Sequence, residues 1–174
     1  MKKVIIFGGS GFLGGYVADE LSRRNFDVTI ADLSESKYLQ EGQNFKKVDI
    51  LNADEILGVI KDASIIYNFS AVAELEEAID NPIKTFDVNV MGNLNILEAC
   101  KQIGSIDRFV YASSAYALSK EGSFYGISKQ SSEKLTEEYF KKYGLKYTVI
   151  RYGSLYGERA SHNNYIYNLL LNAI

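Results

Sequence analysis

Two tyrosines in this chain of 174 residues stand four positions ahead of a lysine, Tyr125 before Lys129 and Tyr116 before Lys120. On a helix that spacing puts phenol and ammonium one turn apart on one face. A phenol with an ordinary pKa of about 10 is a poor base near neutrality, but close positive charge favours the phenolate, and each unit of lowering needs about 1.4 kcal/mol. A tyrosine beside a lysine, with a serine hydroxyl in reach, could therefore take a proton from an alcohol. Ser114 supplies that hydroxyl, at the end of an apolar run from Arg108 to Ala112 that continues as Ser113-Ser114. Tyr125 opens the longest helical pattern, Ser123 to Tyr143, whereas Tyr116 follows Ser114 by two residues in a segment without apolar period. The pair expected to do chemistry is Tyr125 with Lys129, and Tyr116 is expected in a loop, as an aromatic lining the pocket.

The second stretch with chemistry in it lies at the other end of the chain. The run Val4 to Phe7 empties into Gly8-Gly9-Ser10-Gly11-Phe12-Leu13-Gly14-Gly15, followed by a helical pattern at Leu13, Val17 and Leu21. Read as strand, turn and helix start, it is a phosphate cradle. Gly8 permits a tight turn, Gly11 lets the backbone approach a pyrophosphate, and Gly14 lets the helix lie close on the strand. The N–H groups of Phe12, Leu13 and Gly14 then face the anion. The spacing G-x-x-G-x-x-G differs by one residue from the familiar dinucleotide fingerprint, and among 14 glycines it is weak alone. Its context strengthens it, because the next strand, Asp27 to Ala31, ends at Asp32, where an acid would meet an adenosine ribose. Asp32 would also repel a 2′-phosphate, so NAD is expected over NADP, although Ser34 and Lys37 in the following loop could offset this. A cationic nicotinamide ring would add to Lys129 in lowering the Tyr125 pKa.

The remaining elements must carry these residues. A mixed segment, Leu33 to Asn44, is read as loop with a short helix; Phe45 to Val48, Ile65 to Phe69, Arg108 to Ala112 and Leu145 to Arg151 read as strands. Helices are expected at Asn52 to Ile60, Thr85 to Ile103 with Gly104 as its stop, and Ser123 to Tyr143, with Pro82 marking a helix boundary. Strands alternating with helices predict an α/β fold, a doubly wound parallel sheet of order 3-2-1-4-5-6 with helices on both faces. Ligands then lie beyond the carboxyl ends of the strands.

Composition excludes several classes of partner. Apolar residues make up 47% and charged residues 24%, with a net charge of -3, so neither nucleic acid nor an anionic membrane is favoured. Residues 1–9 are too short an apolar run to span a bilayer, and a cytoplasmic location is the default. The single cysteine, Cys100, sits at a helix core position, and the single histidine, His162, has no ligand set around it, so no metal site is expected.

With these pieces together the chain resembles the extended short-chain dehydrogenase/reductase family, and within it the NAD-dependent epimerase/dehydratase group acting on nucleotide sugars. The resemblance runs from Lys2 to about Arg159. Further matching pieces are Asp49-Ile50, Asn68-Phe69-Ser70-Ala71, Asn89-Val90-Met91-Gly92-Asn93 and Arg151-Tyr152-Gly153-Ser154-Leu155-Tyr156-Gly157. The resemblance implies that Asp49 and Ile50 border the adenine and that Ser70, Ala71, Asn89, Ala112 and Tyr152 join Tyr125 and Lys129 in holding the cofactor. It implies a Rossmann-like domain over 1–159, with 160–174 beginning a truncated C-terminal substrate region. Members that dehydrate the sugar carry two acids at the end of strand five, where this chain reads Ser114-Ala115-Tyr116, and Ser154 stands where an asparagine is usual. The reading is therefore an NAD-dependent epimerase that oxidises a sugar hydroxyl and returns the hydride, with Tyr125 as base, Ser114 hydrogen-bonding the same oxygen and Lys129 assisting. A reductase of a keto-sugar or other carbonyl and a non-catalytic dinucleotide sensor are the alternatives. The apolar tail, Tyr165 to Ile174, implies self-association, and these residues alone are expected to bind NAD with negligible turnover.

Overall fold

The computed structural model describes residues 1–160 and 165–173. At its centre is β1 (Lys3–Phe7), in which Val4, Ile5, Ile6 and Phe7 are all fully buried. A strand apolar on both faces needs cover on both faces, which a parallel sheet with helical crossovers supplies. Ile5 and Phe7 face a core built with α2 (Ala53–Ile60) and α5 (Asn93–Ile103), while Val4 and Ile6 face α1 (Phe12–Arg23) through Ala18 and Leu21.

Around β1 lie β2 (Asp27–Asp32), β3 (Asn44–Lys47), β4 (Ile65–Asn68), β5 (Arg108–Ser114) and β6 (Tyr147–Tyr152), all parallel, in the order β3-β2-β1-β4-β5-β6. The order reverses between β1 and β4, so the crevice opens beyond the carboxyl ends of those two strands. Strand β5 runs two residues past the end read from sequence, because Ser113 and Ser114 pair with Arg151 and Tyr152 of β6. Both serines are thereby fixed on the sheet.

Helix α6 (Ser123–Tyr143) has the bounds its sequence pattern predicts, and Gly144 ends it in the left-handed region at φ 72°. Asn52 caps α2, its side chain accepting from the N–H groups of Asp54 and Glu55. The segment 33–43 forms bends and turns with no helix. Its polar side chains bond nearby backbone instead, Ser36 Oγ accepting from the Tyr38 N–H and Gln43 Oε1 from the Gln40 N–H, which competes with helix formation.

The long helix expected from Thr85 to Ile103 is a compound of three pieces. After α3 (Leu75–Asp80), Pro82 opens α4 (Pro82–Phe86) at its first turn, a π-helical turn spans Asp87–Gly92, and α5 follows, stopped by Gly104 at φ 70°. The wide turn has a purpose in packing. It brings the Asn89 amide to the backbone of Val72, accepting from its N–H at 2.8 Å and donating to its carbonyl at 3.0 Å, and to the Ser128 hydroxyl of α6 at 2.9 Å. One amide thus ties the segment after β4 to α6. A last helix, α7 (Tyr165–Asn172), follows the sequence reading of an apolar tail. Among the described residues no helix is long and apolar enough to cross a membrane.

Candidate active site

The floor of the crevice is the turn between β1 and α1. Gly8 adopts φ 73°, and a Cβ there would lie 2.5 Å from the Ser70 N; a Cβ on Gly14 would lie 2.3 Å from the Gly8 carbonyl oxygen. These two positions admit glycine alone, the first for backbone conformation and contact, the second for contact. Gly11 is the N-cap of α1 and offers no side-chain acceptor, so the first-turn N–H groups of Phe12 and Leu13 are left for an incoming anion. Asp32 is held against this turn at the end of β2, its carboxylate accepting from the N–H groups of Ser10 at 3.0 Å and Leu33 at 2.7 Å.

One wall of the crevice carries the residues picked for chemistry. Ser114 ends β5, and Tyr125 and Lys129 face it from the first two turns of α6. All three line a cleft of about 420 Å³ together with Gly8, Gly11, Phe12, Leu13, Gly14, Ala71, Ala112 and Tyr152. Lys129 is 3% exposed and donates from Nζ to the Ala112 carbonyl at 2.9 Å, with Nζ 5.0 Å from the centre of the Tyr111 ring and 5.7 Å from that of Tyr125. Tyr116 lies in a short 3-10 turn, Ala115–Leu118, outside the cleft lining, and meets Tyr125 edge-on at 6.3 Å. The expectation that Tyr116 lines the pocket is corrected to a contact on the ring that does. Its turn is capped by Ser114, whose hydroxyl accepts from the Tyr116 N–H.

Of the remaining positions taken from the sequence, Asp32 and Ser70 adjoin the glycine turn without lining the cleft, and the others lie behind it. Asp32, Asp49, Ile50, Ser70 and Asn89 are not among its lining residues. The Ile50 side chain is buried in the core against Gly92, where a Cβ would lie 2.4 Å from it, and its carbonyl accepts from the Asn95 amide at 3.0 Å. Asp49 accepts from the Leu51 N–H. Asn89 is 1% exposed and spends its amide on Val72 and Ser128, which makes it a brace behind the wall. Phe69 and Ala73, from the segment after β4, also line the cleft, and sequence reasoning missed Glu74, Ser113, Gly153 and Leu155, which line it too. Glu74 follows β4 by six residues, and nothing local shows that its carboxyl group reaches the same cleft as the end of β5. His162 lies outside the described residues, and among those described no group of side chains could hold a metal ion.

The electrostatics differ from the sequence expectation in one respect. Burial raises the Tyr125 phenol, a hydrogen bond with Ser114 opposes this, and Glu74 and Tyr116 add to the rise. Lys129 does not offset it, because its ammonium is itself desolvated, pushed down to about 8, and aimed at the Ala112 carbonyl. In the free protein the pair is therefore a neutral phenol beside a weakened ammonium, and lowering the phenol calls for added positive charge in the cleft.

The glycine cradle, the open first turn of α1 and the acid at the end of β2 suit a dinucleotide with its pyrophosphate on the turn and its far end at Tyr125. Comparison with known proteins agrees with the architecture. A putative UDP-glucose 4-epimerase of Methanocaldococcus jannaschii is 30% identical over 174 residues, covering 90% of this chain and 57% of that protein. A UDP-N-acetyl-alpha-D-glucosaminuronate decarboxylase of Bacillus cytotoxicus is 27% identical, covering 94% of this chain and 58% of that protein. The crystal structure of Thermus thermophilus UDP-glucose 4-epimerase in complex with NAD superposes with a TM-score of 0.87 at 28% identity, covering 98% of this chain and 61% of that one. The chain thus spans about three fifths of the length of the proteins it matches. The sequence profile of the NAD dependent epimerase/dehydratase family matches residues 4–174, and this chain belongs to that family.

Proposed function

We propose that the protein binds NAD in this cleft and serves an epimerase acting on a nucleotide sugar. The observation that carries the reading is that Ser114, Tyr125 and Lys129 share one cleft with the Gly8 to Gly14 cradle, although the two groups are encoded a hundred residues apart. The glycine turn and the N–H groups of Phe12 and Leu13 would hold the pyrophosphate, and Asp32 the adenosine ribose. Tyr125 would take the proton of the sugar hydroxyl, while the Ser114 hydroxyl hydrogen-bonds the same oxygen and fixes its distance from the phenol. Lys129 would hold the nicotinamide ribose, trading its bond to the Ala112 carbonyl for the ribose hydroxyls. When bound, the dinucleotide supplies the redox chemistry, accepting the hydride of the sugar carbon and giving it back.

An epimerase is favoured over a dehydratase because the positions after Ser114 are Ala115 and Tyr116, neither of which carries a carboxyl group. The test has two separate readings. Titration calorimetry of the 174-residue chain should show NAD binding, and a form of the protein active on a panel of nucleotide sugars should interconvert epimers without net consumption of NAD. Absence of NAD binding overturns the dinucleotide reading; net formation of reduced cofactor, or a dehydrated product, overturns the epimerase reading alone.

A further inference from the structure

Seven residues beyond β6 the chain comes back to rest on its first helix, and Arg159 is the point of contact. Its guanidinium donates from Nη2 to Asp19 Oδ2 at 2.7 Å and lies between the rings of Tyr16, in α1, and Tyr38, in the loop after β2, with each ring centre 4.5 Å away. The side chain is 15% exposed, and a Cβ on Gly15 would stand 3.3 Å from Nη1. Two segments, α1 and the loop after β2, therefore close on a planar cation supplied by a third. Only arginine can stack both faces while donating in its plane.

The same carboxylate organises the loop after β2. Gln43 Nε2 donates to Asp19 Oδ1 at 3.0 Å, Gln43 Oε1 accepts from the Gln40 N–H, and Gln40 Nε2 donates to the Tyr38 carbonyl at 2.8 Å. On the other side, Gly157 lies on Phe12, where a Cβ would be 3.5 Å from the ring, and Phe12 lines the cleft with Gly153 and Leu155 of the returning segment. One end of this assembly thus adjoins Asp32, and the other forms the outer wall of the crevice.

We propose that Arg159 is a positioning residue, a clasp that holds the 33–43 loop and the 153–160 segment to α1 as one unit and so couples the Asp32 end of the cleft to its Leu155 wall. The clasp stands on the contacts alone; that NAD operates it rests on the dinucleotide reading above.

Hydrogen exchange read by mass spectrometry on the whole chain tests both parts. In the ligand-free protein, Tyr38→Ala, a change in the distant loop, should speed exchange across 153–160 by about two- to fivefold, the loss of one cation–ring contact at a ring that is itself exposed, while amides of β1 and β4 keep their rates. Arg159→Met should loosen both segments, and Arg159→Lys should not restore them, since lysine keeps the charge toward Asp19 but cannot stack. Unchanged exchange at 153–160 in Tyr38→Ala, or full restoration by Arg159→Lys, overturns the clasp. If Arg159→Met does not fold, the Tyr38→Ala result decides alone. With NAD added, the wild-type chain should slow at both segments and Tyr38→Ala at 33–43 only; equal slowing of 153–160 in the variant overturns the coupling. Failure of NAD to slow any amide in the wild type overturns the dinucleotide reading and the coupling to it, leaving the clasp to the first comparison.

Discussion

Lys129 donates its hydrogen bond to a main-chain carbonyl, that of Ala112, at 2.9 Å, rather than to the phenol of Tyr125 one turn away. The bond crosses from α6 to β5 in a site that is almost dry, and that dryness sets a pH dependence. Burial pushes Lys129 from the ordinary lysine value of 10.5 down to about 8. Between those values the unfolded chain holds a proton that the folded chain has released, so stability rises with pH across the window, and below about 8 the cost of burying the charge is borne in full.

Lys129→Met should therefore stabilise the fold at pH 7 by roughly 1–3 kcal/mol, the pKa difference at about 1.4 kcal/mol per unit less about 1 kcal/mol for the lost hydrogen bond. The gain should shrink by pH 10. Urea unfolding at the two pH values checks this, and a variant less stable than wild type at both would mean that the ammonium is better solvated than its burial indicates.

Tyr125→Phe should lower turnover of the active protein by about 10²–10⁴-fold with NAD affinity nearly unchanged, the usual contribution of a positioned proton acceptor. Tyr116→Phe, which alters only a ring beside Tyr125, should cost less than about tenfold. Steady-state kinetics on both variants decide the assignment, and the reverse order of damage would transfer the role to Tyr116.

NAD should bind more tightly than NADP. The Asp32 carboxylate is pinned by the N–H groups of Ser10 and Leu33, so it cannot swing away from a 2′-phosphate carrying about -1.5 to -2 charges. Asp32→Asn should narrow the gap by about tenfold or more. Dissociation constants for the two cofactors measure it, and NADP binding as tightly as NAD to the wild type would place the ribose elsewhere.

Glycines of the fold should respond in opposite directions to alanine. Gly8→Ala should destabilise by about 2–4 kcal/mol, through positive φ and collision with the Ser70 backbone. Gly58→Ala, on the exposed side of α2 with nothing within 4 Å of the new methyl, should stabilise by about 0.5–1 kcal/mol. Thermal melts of the two variants report both signs, and a neutral Gly8→Ala would show that the turn can open.

What could be read in the sequence was what repeats locally. Apolar runs bounded by polar turns located the strands and their order, and the bounds of α6 followed from its own period. The Tyr125 and Lys129 pair was legible because a helix brings residues four apart together without help from the rest of the chain. Arg159 was not, since its carboxylate partner lies 140 positions earlier and its two rings belong to different elements. Asn89 sat inside a recognisable motif, but its work depends on a π turn, and side-chain periodicity cannot distinguish that turn from an ordinary one. The desolvation of the Lys129 ammonium was missed for a related reason: spacing puts the lysine beside the phenol, while only the packed structure shows how little water reaches it.

The π turn at Asp87–Gly92 also makes the molecule sensitive to length as well as to identity. A wide turn is an ordinary helix with one residue too many, and each residue of an α-helix advances the phase by about 100°. Removing any single residue from that turn would let α4 and α5 join as one regular helix, and the rejoined helix could keep only one of two alignments. Either Asn93 stays opposite Asn68, to which it is bonded at 2.9 Å, or Asn89 stays on Val72 and Ser128. Deleting Asp87 or Gly92, which conserves every hydrophobic side chain of the turn, would thus break a buried amide contact that no point substitution elsewhere in the helix could restore.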